Sequence, residues 1–316
     1  MTYDVVIFGL SLKINPIAFT LPIGSGWDIY WYGIIIALGF LGAIVYAMLA
    51  AKRFEMDTDR MLDVVLVTTP VAILCARAYY CIFGGVKIES IADFFGFGNH
   101  SGFSGLAIYG GVIGALLCGF LMCKIRKVNV LDMFDIAAAG FLLGQGVGRW
   151  GNFFNQEAYG TFTGSDWWGM TSTRTVAEMG KGLVHPCFLY ESIWCILGFF
   201  LLNYLSKNRK FKGEIALSYG IWYGFERGFL ELIRTDSLML GNIRVSSLLS
   251  FVLCAGCIIA MIIMLRRYKQ NTAAATYTSV FESESTENAD ADEIKEEINE
   301  NTDEIEKEII EDGENN

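Results

Sequence analysis

Residues 33–50 read GIIIALGFLGAIVYAMLA, eighteen positions without one charged side chain. At about 1.5 Å of helical rise per residue, such a run covers about 27 Å, close to the roughly 30 Å of a bilayer's hydrocarbon core. Comparable apolar stretches recur near 28–50, 61–84, 105–123, 131–148, 186–206, 214–233 and 245–265. The fourth is the weakest, because Asp132 and Asp135 stand at its start. With 53% hydrophobic residues and a mean hydropathy of +0.41, the pattern excludes an ordinary soluble domain. It predicts an all-α polytopic integral membrane protein with about seven transmembrane helices.

The net charge of −10 does not describe the apolar part. Residues 270–316 hold 16 of the 34 acidic residues and two basic ones, Lys295 and Lys307. Without that segment, 22 basic residues face 18 acidic ones. Two domains are therefore expected: a seven-helix transmembrane catalytic domain over 1–269 and an acidic cytoplasmic tail over 270–316. Ile294, Ile298, Ile305 and Ile309 hint at a helical stripe in the tail, but its charge density argues for disorder or a marginal helix. Basic residues follow alternate spans: Lys52, Arg53 and Arg60; Lys124, Arg126 and Lys127; Lys207, Arg209, Lys210 and Lys212; Arg266, Arg267 and Lys269. Since basic loops stay in the cytoplasm, the N-terminus is expected outside and the C-terminus inside.

Several patterns are read as structural. All eight cysteines lie in or at the ends of apolar spans, and with two histidines, His100 and His185, no zinc-type ligand set assembles. No metal and no cofactor are expected. Cys254 and Cys257 form a C-x-x-C that reads as packing, and Leu253 to Cys257 resembles a lipid-attachment sequence only by chance, deep in the last span. Val5 to Leu10 lacks the basic flank of a signal peptide and reads as an extra-membrane lead-in. The Gly102-Phe103-Ser104-Gly105 stretch fits an intramembrane serine protease pattern, but His185, beside Pro186, reads as a helix cap rather than a base. The long connections 85–104 and 151–185, the second with Trp167 and Trp168, read either as an aromatic belt at the interface or as a lid over a site.

Charge depth points to function. An ionised group near the bilayer centre costs about 2.5–3.5 kcal/mol on insertion scales, so each one needs a reason. Counting helical rise from the basic end of each span puts Arg77 about 24 Å across, Arg149 about 27 Å, Arg227 about 18 Å and Glu231 about 24 Å. Tyr32, Tyr109, Tyr190 and Glu191 fall within about 8 Å of the same outer surface. Gly220, Tyr223, Gly224, Arg227, Glu231 and Arg234 share one helical face. Gly220, Gly224 and Gly228, like Gly140, Gly144 and Gly148, read as close helix packing. One internal ion pair, Arg227 with Glu231 or Glu226, leaves Arg77, Arg149 and Arg234 at the same level unexplained. A basic cluster at headgroup depth suits a lipid phosphate, which arginine grips with two parallel hydrogen bonds. A channel would instead carry polar groups through its full depth.

Gly148-Arg149-Trp150-Gly151-Asn152-Phe153-Phe154-Asn155-Gln156-Glu157 with Tyr159-Gly160 resembles the signature of the prolipoprotein diacylglyceryl transferases. Asn15-Pro16-Ile17-Ala18-Phe19, Tyr30-Trp31-Tyr32-Gly33, Ala76-Arg77, Gly110-Gly111-Val112-Ile113-Gly114, His185-Pro186 with Leu189-Tyr190-Glu191, and Tyr223-Gly224-Phe225-Glu226-Arg227 agree in order and spacing. The resemblance covers about residues 12–265. It implies an enzyme of the bacterial cytoplasmic membrane, multi-pass, with its active site toward the outer leaflet. Such an enzyme moves the diacylglyceryl group of phosphatidylglycerol onto the lipobox cysteine thiol in the signal peptides of pre-prolipoproteins. A thioether forms, glycerol 1-phosphate leaves, and no cofactor takes part. The implied partners are phosphatidylglycerol, those signal peptides and membrane lipid, with no nucleic acid.

Carried over by position, Arg149 binds the phosphatidylglycerol phosphate, and Arg227 and Tyr109 join it as catalytic residues. Tyr32, Arg77, Asn152, Asn155, Glu157, Gly160, His185, Tyr223 and Glu231 are the implied substrate-binding residues. Tyr109 stands where many family members carry a histidine cast as a general base. An unperturbed tyrosine, with a pKa near about 10, is a poor base at neutral pH. Glu157, Tyr109 and Glu231 all stay open as acceptors of the substrate thiol's proton.

Overall fold

The computed structural model describes residues 2–22, 27–84, 91–95, 105–235, 239–240, 243–275 and 278. Most of the 85–104 connection, with His100 and Ser104, and nearly all of the acidic tail lie outside the described residues. The chain divides into two units, 1–261 and 262–316. Of the second, the described part is helix over 262–275, with Thr278.

Each expected span is a helix. They are α1 (Trp31–Ala50), α2 (Thr58–Phe83), α4 (Ile108–Ile125), α5 (Val130–Asn155), α7 (Cys187–Leu205), α8 (Glu214–Ile233) and α9 (Val245–Ala275). Short α3 (Ile91–Phe94) and α6 (Thr173–Met179) lie in the two long connections. Six of the seven are long and apolar enough to cross a membrane, and the chain is a multi-pass membrane protein. The exception among the seven is α8. Glu226, Arg227 and Glu231 in its last two turns lower its apolar character, and a helix so charged survives among lipid-exposed neighbours because the bundle covers those groups. Elsewhere large apolar side chains face outward, Leu38 of α1 and Leu117 of α4 among them, as a lipid-facing surface requires.

Helix ends follow local chemistry. Asp57 caps α2 by accepting from the Arg60 amide at 2.9 Å, and Asn129 caps α5 through the Leu131 and Asp132 amides at 3.0 and 3.2 Å. At the far end α5 runs past Gly148 to Asn155 and stops at Gln156, whose φ of 56° turns the chain out of the helix.

Within the first unit α2 packs on α4, α1 on α5, and α5 also on α7 and α8. Small residues set these approaches, as expected. A Cβ on Gly114 of α4 would lie 2.6 Å from the Cys75 Cβ of α2, and one on Gly224 of α8 would lie 3.0 Å from the Ser250 carbonyl of α9. Cys254 Sγ donates to the Ile221 carbonyl at 3.5 Å, and all eight cysteines are free thiols. The C-x-x-C thus belongs to the α8–α9 packing.

Five short strands modify the helical class. The N-terminal lead-in is a hairpin of β1 (Tyr3–Ile7) and β2 (Leu10–Ile14), and β5 (Met170–Ser172) adds to the other edge of β1. β3 (Ile17–Leu21) pairs with β4 (Trp27–Tyr30), and the Trp31 amide donates to the Pro16 carbonyl at 2.9 Å where α1 begins. The lead-in and the 151–185 connection therefore share one layer. Its apolar core is Val5, Ile14, Phe153, Ala158, Tyr159, Met170, Val184 and Phe188. Trp168 stacks over Tyr190 with ring planes 9° apart, while Trp167 is exposed. A further short hairpin, β6 (Met239–Leu240) with β7 (Ile243–Arg244), joins α8 to α9.

The two acids that weaken the fourth span anchor the opposite end of the bundle. Asp135, fully buried, accepts from the Gly213 amide at 2.8 Å and the Ala216 amide at 2.9 Å, so it caps α8 from a neighbouring helix. Arg209 Nη1 reaches the same carboxylate at 2.9 Å, while Asp132 holds Arg209 at 2.6 Å and Lys212 at 2.7 Å. Asp135→Ala leaves Arg209 with Asp132 alone and strands two helix-start amides, those of Gly213 and Ala216. It should lower stability by about 1–3 kcal/mol for each amide left without its acceptor, read as a fall in the unfolding midpoint of the detergent-purified protein relative to wild type.

Candidate active site

α7 brings Glu191 into the bundle with no exposed surface. Two helices answer it. Arg149 of α5 pairs through Nη2 with Glu191 Oε1, and the Tyr223 hydroxyl of α8 donates to that same oxygen at 3.1 Å. On the other carboxylate oxygen, Arg227 Nη1 stands at 3.4 Å and Arg234 Nη1, just past α8, at 3.8 Å. Arg227 also pairs with Glu231 one turn on, at 2.8 Å. The anticipated Arg227–Glu231 pair therefore exists, but as one arm of a larger assembly. Arg149, Arg227 and Arg234 converge on one carboxylate.

The sequence patterns explain the convergence. Tyr223 and Arg227 are four residues apart, so they meet a neighbour on one face, and Glu231 continues it. Gly146 lets α7 close on α5: Ser192 Oγ donates to the Gly146 carbonyl at 2.7 Å, and a Cβ there would lie 2.8 Å from Ile196. That closeness brings Glu191 within reach of Arg149.

Arg149 makes one ion pair among the described residues, and its side chain keeps 21% of its surface exposed. Its remaining N–H donors point to no described partner. Asn152, one turn on along the same helix, has a side-chain amide likewise without a described hydrogen-bond partner. Tyr32 of α1 lies on this turn: a Cβ on Gly151 would come 2.7 Å from its ring.

Gly160 explains itself by crowding. Its amide donates to the His185 carbonyl at 2.8 Å, it bridges Arg234, and the next amide, Thr161, donates to the Ile233 carbonyl at 2.8 Å. A Cβ would meet the Ile233 carbonyl at 2.8 Å, Cys187 Sγ at 2.9 Å and His185 Cβ at 3.0 Å. The residue stitches the end of α8 to the start of α7, and so holds Arg234 over Glu191.

Other expected residues lie elsewhere. Arg77 is not brought into the cluster: its guanidinium donates to the carbonyls of Phe94 at 2.8 Å, Gly105 at 3.2 Å and Asp93 at 3.3 Å. Depth counted along a helix does not fix which side of the bundle a residue faces. Tyr109, in the first turn of α4, is 45% exposed, has no described hydrogen bond, and stands on a helix whose main neighbour is α2. Glu157 lies toward the surface, paired with Arg174 at 3.1 Å. Hydrogen bonding to Glu178, and after it to Glu157, holds the Arg174 guanidinium above its ordinary pKa against the opposing effect of partial burial. The Asn155 carbonyl accepts from Arg174 at 3.4 Å. His185 does not cap α7, whose first position follows Pro186. Its Nδ1 lies 3.2 Å from the Tyr190 hydroxyl, which accepts from Trp168 Nε1 at 2.8 Å.

Two members of the assembly were not singled out in the sequence. Glu191 stands there at the outer level by depth and inside a longer motif but not among the named site residues, because a lone acid near a span's end carries no sign that three arginines surround it. Arg244, in the β6–β7 hairpin, donates to the carbonyls of Glu231 and, at 3.1 Å, of Arg234. It closes the C-terminal end of α8, where a cation suits the exposed carbonyls. Glu226 is buried one position before Arg227, and its carboxyl oxygens have no hydrogen-bond partner among the described residues.

The family model of the prolipoprotein diacylglyceryl transferases matches residues 16–264. A phosphatidylglycerol–prolipoprotein diacylglyceryl transferase of Clostridioides difficile (strain 630) is 38% identical over 260 residues, covering 82% of this chain and 98% of the relative. One from Clostridium perfringens (strain 13 / Type A) is 42% identical over 263 residues, 81% of this chain and 97% of the relative. A third, from Bacillus licheniformis, is 42% identical over 274 residues, 81% and 94%. The matched span contains α1 to α8, every member of the Glu191 assembly and most of α9. The chain belongs to the prolipoprotein diacylglyceryl transferase family and is a membrane transferase.

Proposed function

We propose that the protein carries out the first step of bacterial lipoprotein maturation. It transfers the diacylglyceryl group of phosphatidylglycerol to the lipobox cysteine thiol of pre-prolipoprotein signal peptides. The observation that carries this reading is the convergence of Arg149 and Arg227 on one buried carboxylate, which puts both guanidinium groups within reach of one small anion. Glycerol-linked phosphate is such an anion, and arginine matches its oxygens two at a time.

The thiol must first lose its proton, since the thiolate is the nucleophile. Its sulfur then attacks the terminal glyceryl carbon, a C–S bond forms, and the C–O bond to phosphate breaks with its electron pair on the phosphate oxygen. The products are a neutral thioether and glycerol 1-phosphate. Arg149 and Arg227 stabilise the charge growing on phosphate, with Tyr223 and Glu231 holding Arg227's surroundings. Tyr32 and Asn152 line the lipid beside Arg149, with Asn155 and Glu157 at the rim. Gly160 and His185 keep the rim's backbone in place, and Arg77 acts by holding the carbonyls of Asp93, Phe94 and Gly105. Tyr109 contacts the substrate through its hydroxyl. Glu157, Tyr109 and Glu231 remain the acceptors to compare for the proton.

The catalytic part is 1–269, the tail 270–316 lies in the cytoplasm, and the membrane is the bacterial cytoplasmic membrane. The alternation of basic residues supports this orientation: Arg53, Arg126 and Arg209 belong to the end of the bundle opposite Arg149, so the site faces the outer leaflet.

Purified protein given phosphatidylglycerol and a lipobox peptide should release glycerol phosphate and raise the peptide's mass by one diacylglyceryl group. Arg149→Ala should lower that transfer by about 10²–10³-fold, the effect of removing one preorganised donor to a developing anion. Near-wild-type peptide modification by Arg149→Ala would defeat the reading. Gly160→Ala should displace the Ile233 carbonyl and cost about 1–3 kcal/mol of stability, as overpacking does. Both the unfolding midpoint and the transfer rate should fall; a midpoint equal to wild type would show that the crowding is absent.

A further inference from the structure

The three arginines are gathered on an anion that the protein itself supplies. Glu191 has no exposed surface, and its oxygens divide the work: Oε1 takes Arg149 and the Tyr223 hydroxyl, Oε2 takes Arg227 and Arg234. Its neighbours along α7, Cys187, Phe188 and Cys195, are equally buried but uncharged. A buried carboxylate is a poor device for packing helices, since its desolvation offsets most of what its ion pairs contribute. It is a good device for keeping like charges together, because guanidinium groups in a water-poor interior repel one another strongly without it.

The reaction proposed above, on which this inference rests, changes the ligand's charge inside the same site. A thiolate and a phosphodiester, one negative charge each, become a neutral thioether and a phosphate monoester. That monoester carries about −1.5 to −2 near neutral pH. Arginines arranged to stabilise the charge as it grows hold the finished product more tightly than the starting lipid. Something must weaken that hold, or each turnover ends in a trapped enzyme.

We propose that Glu191 is a positioning residue with two linked effects. It keeps Arg149, Arg227 and Arg234 aimed at one point while the site is empty, and its fixed negative charge competes with the phosphate for those guanidinium groups so that glycerol 1-phosphate leaves. The competition acts more strongly on the more highly charged product than on the lipid, which makes Glu191 a determinant of turnover rather than of lipid capture.

The test uses the full-length protein in phosphatidylglycerol-containing liposomes, with a lipobox peptide and added glycerol 1-phosphate as inhibitor. Glu191→Gln keeps the shape and one acceptor oxygen but removes the charge. It should lower the inhibition constant of glycerol 1-phosphate by about tenfold or more, the scale of one charge-assisted contact. It should also leave the KM for phosphatidylglycerol no higher than wild type, and give a burst of about one modified peptide per enzyme before slow steady turnover. Glu191→Asp, which keeps the charge, should stay near the wild-type inhibition constant even if its rate falls.

A merely structural Glu191 predicts the opposite: loosened arginines, with KM and inhibition constant both raised in Glu191→Gln. That outcome, or an unchanged constant, overturns the proposal. If Glu191→Gln does not fold, Arg234→Gln tests the same balance from the other side, since removing a cation while Glu191 stays must weaken product inhibition by about tenfold; unchanged inhibition there overturns it equally. Wild-type protein that neither modifies the peptide nor releases glycerol phosphate would sink the transferase reading itself. Wild-type turnover without the shifts in the variants sinks this inference alone.

Discussion

A carboxylate with no exposed surface, set among helices whose outer faces are built for lipid, is the constraint around which this bundle is organised. Glu191 cannot sit there unpaired, because an uncompensated charge in such a medium costs several kcal/mol. Its partners come from α5 and from α8 with the residue just beyond it, so satisfying one acid requires three segments to meet at one level. α5 must extend past its apolar portion to deliver Arg149. α8 must present Tyr223 and Arg227 on one face and end where Arg234 can fold back. The Gly160 crossing and the Arg244 contacts then hold that end in place.

The opposite end repeats the logic with the signs exchanged. Asp132 and Asp135 accept Arg209, Lys212 and the amides that open α8. α8 is therefore held by ionic contacts at both ends, to α5 at its start and to Glu191 of α7 at its finish, whereas its contact with α9 is made through glycines against backbone and small or aromatic side chains. This explains how the helix with charged groups in its last two turns keeps its place. Its charged groups are what it packs with.

The spans were legible because membrane crossing imposes a long apolar run that nothing else in a chain of this kind mimics. Boundaries were less so. Hydropathy ends the fourth span at Gly148, but backbone hydrogen bonding continues through Arg149 and Asn152, because a helix leaving the hydrocarbon has no reason to stop until a residue such as Gln156 turns it. The strands escaped notice for a different reason: β1 finds one of its partners at Met170–Ser172, some 165 residues away, and short strands paired at such range leave no periodic trace. Within the site, Arg149, Arg227, Tyr223 and Glu231 could be grouped from depth and helical face alone. Arg77 satisfied the same depth argument and lies apart, since rise along the axis says nothing of direction around it. Glu191 was placed at the right level, but its part in the cluster was not legible because that lies in its neighbours.

Pairing the arginines with acids of the same bundle also resolves a difficulty in keeping several guanidinium groups in a membrane protein at all. Free of counter-charge, they would favour the interface, where long side chains reach water. Held on Glu191 and Glu231, they stay at depth, and Arg149 pairs through one nitrogen while its side chain keeps 21% of its surface exposed. On the proposed reading, an incoming phosphate need not strip Arg149 of its partner to bind. On that reading it completes a coordination at Arg149 that the protein has left half made, and the preorganisation is provided by folding rather than by the ligand. The same half-made coordination limits how firmly any anion is held. In an enzyme whose ligand gains charge as it reacts, that limit matters as much as the attraction.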